Sequence, residues 1–75
     1  MFVPDILIHV HPDLSAQGRA EIENAVEGCT GVIAADFDYR NPHALAVLYN
    51  SDAVKGEQIL AAARKFDSKA TMVWL

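Results

Sequence analysis

The order of strand and helix patterns along the chain is the feature that most limits its fold. Four segments have the length of strands and can be divided into two faces at a period of two residues, and these segments are residues 2–10, 32–40, 44–49 and 70–75. Apolar residues recur at helical spacing over residues 15–27 and 55–66. With right-handed crossovers, this βαββαβ order gives a four-stranded antiparallel sheet with both helices on one face. The predicted fold class is therefore α+β, a ferredoxin-like two-layer sandwich.

Turn and cap residues set the predicted boundaries of these elements. Pro12 has no backbone N–H, so it ends the first strand. Asp13 or Ser15 can cap the first helix by accepting a hydrogen bond from an amide of its first turn, and Gly28 is suited to its C-terminal end. Residues 40–43, with the sequence RNPH, are typical of a turn and predict a hairpin between the second and third strands.

The same periodicity predicts which side chains form the core between sheet and helices. We expect Trp74 to belong to that core rather than to a site. The other residues predicted to face inward are Ile6, Ile8, Val10, Ile22, Ala25, Val26, Cys29, Ile33, Ala35, Phe37, Tyr39, Leu45, Val47, Tyr49, Ile59, Ala62, Ala63 and Phe66.

Length and charge exclude some classes of protein. Seventy-five residues make a single domain, spanning residues 1–75, near the lower size limit for folding without disulfides or metals. The formal charge is −4, and the lysines and arginines are few and scattered. Since phosphate neutralisation supplies most of the affinity for nucleic acid, we expect no nucleic-acid partner.

The expected location is the cytoplasm. The sequence has no run of ~20 apolar residues, so membrane insertion is not expected. The first residues lack the basic start and long apolar region of a secretory signal. Cys29 is the single cysteine, which fits a reducing compartment, and we expect it to be a small core residue.

Four short motifs resemble those of the heavy-metal-associated domain, the module of copper chaperones and of the amino ends of metal-pumping ATPases. The resemblance spans nearly the whole chain and implies the ferredoxin-like fold and a role related to metals. The motifs are I-E-N-A-V at residues 22–26, G-V at 31–32, V-L-Y-N at 47–50 and I-L-A-A at 59–62.

The chain departs from that family at the metal site. Counting back from Ile22, the family's M-x-C-x-x-C motif falls on residues 13–18, where Ser15 and Gly18 replace the two thiolate ligands. A serine hydroxyl is a poor ligand for soft Cu(I), and glycine has no side chain to offer. The resemblance therefore implies a relative that has lost the thiolate site or binds in another way.

Three histidines are the candidate metal ligands. His9 and His11 lie two residues apart on a predicted strand, so both rings should leave the same sheet face. His43, in the predicted hairpin, belongs to the same end and could approach His11. Imidazoles suit a divalent transition metal such as Cu, Zn or Ni, which is the one cofactor that we consider. The alternative is that His9 and His11 are only polar residues on an exposed face.

The sheet face without helices is the second candidate site. We expect it to carry Leu7, Ala46, Leu48 and Val73, with Leu75 nearby, although a solvated face should be polar. Contiguous exposed apolar residues often mark an interface with a protein partner or a second copy. The alternative is a register slip of one residue, which would exchange the two faces.

Two functions follow from these features. The first is weak, metal-related binding through His9, His11 and His43 without thiolate ligands. The second is a metal-free interaction module that dimerises or docks through its open sheet face. The sequence shows no nucleophile beside a base and no other catalytic constellation, so we do not expect an enzyme.

Overall fold

The computed structural model describes residues 2–38 and 40–75 and confirms the α+β two-layer fold. A four-stranded antiparallel sheet has the strand order β2-β3-β1-β4, and two helices complete the βαββαβ order. Neither helix in these residues has the length and apolar composition needed to cross a membrane. The six elements are β1 (Ile6–His9), α1 (Ala16–Glu27), β2 (Val32–Asp38), β3 (Asn41–Tyr49), α2 (Gly56–Arg64) and β4 (Thr71–Trp74).

The pairing of β1 with β3 decides which side chains enter the core. Ile6 lies opposite Val47 and Ile8 lies opposite Leu45, so these four side chains share the face that packs on the helices. Each of them is fully buried, and burying such a side chain contributes about 1.5–3 kcal/mol. The helices add the buried residues Ile22, Val26, Ile59 and Ala63.

Both predicted ends of the first helix are confirmed. The Ser15 hydroxyl oxygen accepts a hydrogen bond from the Gly18 amide at 3.0 Å, and Gly28 is the C-cap. β1 is shorter than the predicted strand, because only residues 6–9 pair with both neighbouring strands.

A bulge in β2 makes the prediction for Ile33 wrong. Val32 pairs with Tyr49 and Ala34 pairs with Leu48, so Ile33 is an extra residue between two successive pairs. A bulge inserts one residue and shifts the alternation by one position. Ile33 is consequently 66% exposed, whereas Ala35 and Phe37 keep the inward face that was predicted.

The hairpin also differs from the prediction. β3 begins at Asn41 rather than Ala44, and the register shifts between Phe37 and Asp38. Pro42 is accommodated within β3 because it lies beyond the last pair with β1, that of His9 with Ala44. Tyr39, which was predicted to face inward, lies outside the described residues.

The predictions for Phe66 and Trp74 are wrong. α2 ends at Arg64, so Phe66 lies past the helix and is 45% exposed. Trp74 is 55% exposed and lies over Gly56, where an added Cβ would come within 2.5 Å of the indole ring. Cys29 is half-buried, and its thiol donates to the Ala25 carbonyl oxygen at 3.5 Å.

The loops gather at the two ends of the sheet as the topology predicts. The His11 amide donates to Oδ2 of Asp67 at 2.7 Å, so the turn after β1 meets the turn after α2. At the opposite end, the Asn50 amide donates to the Gly31 carbonyl oxygen at 2.8 Å. Gly31 has a φ of +95°, and an added Cβ would lie 2.9 Å from the Ala53 Cβ.

We expect Gly31→Ala to lower the free energy of unfolding by about 1–3 kcal/mol, because it adds both backbone strain and a clash. Gly28→Ala is the matched control: Gly28 has a helical φ of −73°, and its nearest contact would be the Asn24 carbonyl oxygen at 3.3 Å. Its effect should be under about 0.5 kcal/mol. Urea denaturation followed by circular dichroism measures both, and equal losses would contradict this account of Gly31.

Candidate binding face of the sheet

We call the sheet surface that points away from the helices the outer face. Leu7 pairs with Ala46 on one side and with Val73 on the other, and Leu48 pairs with Ala34. Paired residues point to the same side of a sheet. The four residues predicted for partner binding therefore do share one face, opposite the core.

The outer face is mostly apolar. Leu7, Ala46 and Leu48 are half-buried by their neighbours, and Val73 is 45% exposed. Leu75, just beyond β4, is 68% exposed. An antiparallel sheet with one solvated face normally carries polar residues there. These side chains are neighbours and form an apolar surface, and Asp36, opposite Ala46, is a charged residue of the same face.

A groove of about 490 Å³ crosses one end of the outer face. Its polar residues come from β2, β3 and the hairpin between them, and its apolar residues come from β1, β2, β3 and the segment before β1. Ala44 in this groove is only 4% exposed although it is not part of the core cluster. The lining residues are Phe2, Pro4, Leu7, Asp36, Phe37, Asp38, Arg40, Asn41, Ala44 and Ala46.

The hairpin end of the groove is organised by Asp38 and Arg40. Oδ1 of Asp38 accepts from the Arg40 amide at 2.9 Å, and its Oδ2 lies 3.3 Å from an Arg40 guanidinium nitrogen. The backbone hydrogen bond, followed by the guanidinium contact, holds the pKa of Asp38 below its usual value. The hairpin therefore presents a carboxylate and a cation that are already paired.

His9 and His43 lie side by side at the end of β1. Their ring centroids are 6.4 Å apart, and the ring planes differ by 36°. His9 is on the outer face, since its cross-strand partners there are Ala44 and Thr71. From the sequence, His43 could approach His11, whereas the structure places its ring beside that of His9.

His11 lies past the end of β1 and faces its own turn. Its Nδ1 accepts a hydrogen bond from the Asp13 amide at 3.1 Å. Within residues 2–38 and 40–75, no group of three or more His, Cys, Asp or Glu side chains is arranged to hold a metal ion. Among the described residues, the two histidines whose rings contact each other are His9 and His43.

Ser15 and Gly18, where the resemblance would place two thiolates, have structural roles in this chain. The Ser15 hydroxyl is used as the cap of α1. At Gly18, an added Cβ would lie 3.0 Å from Cγ of Leu14, which packs on the core. These residues therefore build the start of α1 and offer no soft ligand.

Carboxylates also meet where α1 packs beside β2. Burial raises the pKa of Glu23, and the charges of Asp36 and Glu27 and a hydrogen bond with Glu27 raise it further. The ionised form of Glu23 is thus less favourable in the folded chain than in the unfolded chain.

We expect Glu23→Gln to raise the free energy of unfolding at neutral pH by up to about 0.5 kcal/mol, because Glu23 is partly exposed and its repulsion is screened. The pKa of Glu23 is raised in the folded state. The contribution of this group to stability is therefore fully present at pH values below 4.5, its ordinary pKa, and is lost as pH rises through the folded pKa. The gain from glutamine should therefore vanish near pH 4 (about one half-unit below that value). Denaturation at both pH values, with the exposed Glu21→Gln as control, measures this, and a pH-independent gain would contradict it.

Comparison of the chain with protein-family models, curated proteins and solved structures gave no match in any of the three searches.

Proposed function

We propose that this domain is a protein-interaction module that pairs with a second copy of itself through the outer face of its sheet. The observation that carries the proposal is the contiguous apolar surface formed by Leu7, Ala46, Leu48 and Val73 on the side away from the core. Apolar area of this kind, left uncovered in a small soluble fold, is characteristic of an interface.

The size of the face favours a flat partner over a single peptide strand. β3 has nine residues, which at ~3.4 Å each give a length of about 30 Å. Four strands spaced by ~4.8 Å give a width of about 19 Å, so the face covers on the order of 600 Å². A stable interface of standard size buries about 600–1,000 Å² per partner, so even complete coverage of this face reaches only the low end of that range. Another sheet, packed about 10 Å away, can provide that coverage.

A second copy is the simplest partner with a matching flat, apolar sheet. In a two-fold dimer the same surface of both subunits forms the interface. One apolar face is therefore sufficient, and no second protein with a complementary surface is required. Each copy carries a charge of −4, which opposes association through long-range repulsion. Because salt screens such repulsion, the dimer should be favoured by moderate ionic strength.

Metal-related binding is the second candidate function, and the contact between His9 and His43 is the observation that favours it. Two imidazoles can bind Cu(II), Zn(II) or Ni(II). A site with two protein ligands is weak, because zinc sites usually have three or four. The resemblance to heavy-metal-associated domains is the further reason for this candidate. Neither function requires catalysis.

In the presence of a chelator, we expect the wild-type chain to dimerise with a Kd of about 10–100 µM, which is weak affinity for an interface of this size. Leu48→Asp and Val73→Asp should each weaken this association at least tenfold (about 1.4 kcal/mol), since each buries a carboxylate in the interface. Sedimentation equilibrium measures the Kd.

Phe66→Asp is the matched control, because Phe66 and Val73 are both 45% exposed but Phe66 follows α2. It should leave the Kd unchanged. A wild-type chain that stays monomeric at millimolar concentration, or equal effects of Val73→Asp and Phe66→Asp, would contradict the proposal.

A further inference from the structure

The pair His9 and His43 is close to the dimensions of half a metal site. An imidazole nitrogen lies ~2.0–2.1 Å from a bound zinc ion, which puts each ring centroid about 3.2 Å from the metal. Two rings on one ion are therefore separated by at most about 6.4 Å, and by about 5 Å in a tetrahedral site. The observed 6.4 Å is at the upper limit, so the two rings must approach each other by more than about 1 Å to share a tetrahedral ion.

One chain does not complete the site. The described residues hold no third His, Cys, Asp or Glu arranged with this pair. His11 accepts a hydrogen bond from the Asp13 amide through Nδ1, within its own turn. A tetrahedral ion held by His9 and His43 alone would keep two open positions.

The position of His9 supplies the missing ligands once two copies meet. His9 lies on the outer face, two residues along β1 from Leu7. Its cross-strand neighbours on that face are the small residues Ala44 and Thr71, which leave room above the ring. An isologous interface presents every group twice, so a symmetry axis near the end of β1 places one histidine pair against the other.

We propose that a divalent transition ion bridges two copies of this chain, held by His9 and His43 from each. This inference rests on the proposed dimer and adds a ligand to it. Four imidazoles satisfy a tetrahedral ion, and the bound cation offsets part of the repulsion between two chains of charge −4. The metal makes the weak apolar dimer tighter, and metal supply controls the oligomeric state.

The test is sedimentation equilibrium of the full chain with excess Zn(II) and, separately, with a chelator. Zinc should lower the dimer Kd of the wild type at least tenfold, with one ion bound per two chains by calorimetry. His9→Gln and His43→Gln should each abolish this effect. His11→Gln is the matched control and should retain it, and circular dichroism verifies that each variant is folded.

A second readout places the ion at the proposed interface. Leu48→Asp should weaken the zinc-linked dimer, because the ion and the apolar surface lie on the same face. Co(II) should give the intense visible bands of tetrahedral coordination in the wild type and lose them in His43→Gln.

The outcomes separate this inference from the proposed dimer. A wild-type dimer whose Kd does not respond to zinc overturns the metal bridge and leaves the proposed function standing. One zinc per chain without association overturns the bridge as well, as does a zinc-linked dimer that Leu48→Asp leaves undiminished. Monomers under both conditions overturn both proposals, and a dimer that forms only with zinc supports the bridge while refuting metal-free pairing.

Discussion

The register of β1 against β3 is the constraint on which both faces of this domain depend. The pair Ile6 and Val47 places the side chains of Ile6 and Ile8 in the core, and a slip of one residue would send them to the outer face. Asp5 fixes this register at the start of β1. Its amide donates to the Val47 carbonyl oxygen at 2.9 Å, and its Oδ2 accepts from the Tyr49 amide at 3.2 Å. Its carbonyl oxygen also accepts from the Leu75 amide at 3.1 Å, so one residue connects β1 with both of its neighbours.

Once the register is set, the two faces of the sheet have different physical tasks. The inner face has no apolar side chains to spare, because a chain of this size depends on every large apolar side chain that it can bury. The outer face adds nothing to that core, yet it keeps Leu7, Leu48 and Val73, where polar residues would favour solubility. The fold does not need this apolar surface, and binding of another molecule to it would explain why it is present. The partial cover near Ala44, beside Phe2 and Pro4, leaves the rest of the face open.

The sequence predicted the parts of the fold that arise from periodicity and capping. The cap of α1 could be narrowed to Asp13 or Ser15, because both side chains can accept a hydrogen bond from an amide of the first turn, and the structure shows that Ser15 does so. Ile33 could not be predicted, because a bulge changes the face of a residue without changing its spacing from its neighbours. The contact of His43 with His9 was missed for a similar reason. The third strand was predicted to begin at Ala44, three residues later than it does, so His43 was taken for a loop residue rather than part of β3.

The same geometry explains why the first turn, from His11 to Gly18, is an unsuitable place for a ligand in this chain. The Ser15 hydroxyl satisfies an orphan amide of α1, and a ligand role there would compete with the cap. Gly18 leaves space that Leu14 uses to reach the core. His11 is held by the amide of Asp13 and lies off the sheet. The Ser15 hydroxyl and Nδ1 of His11 are thus used within the turn, whereas the rings of His9 and His43 contact each other at the end of β1. The binding that we propose for this domain therefore lies on the sheet and not on the turn.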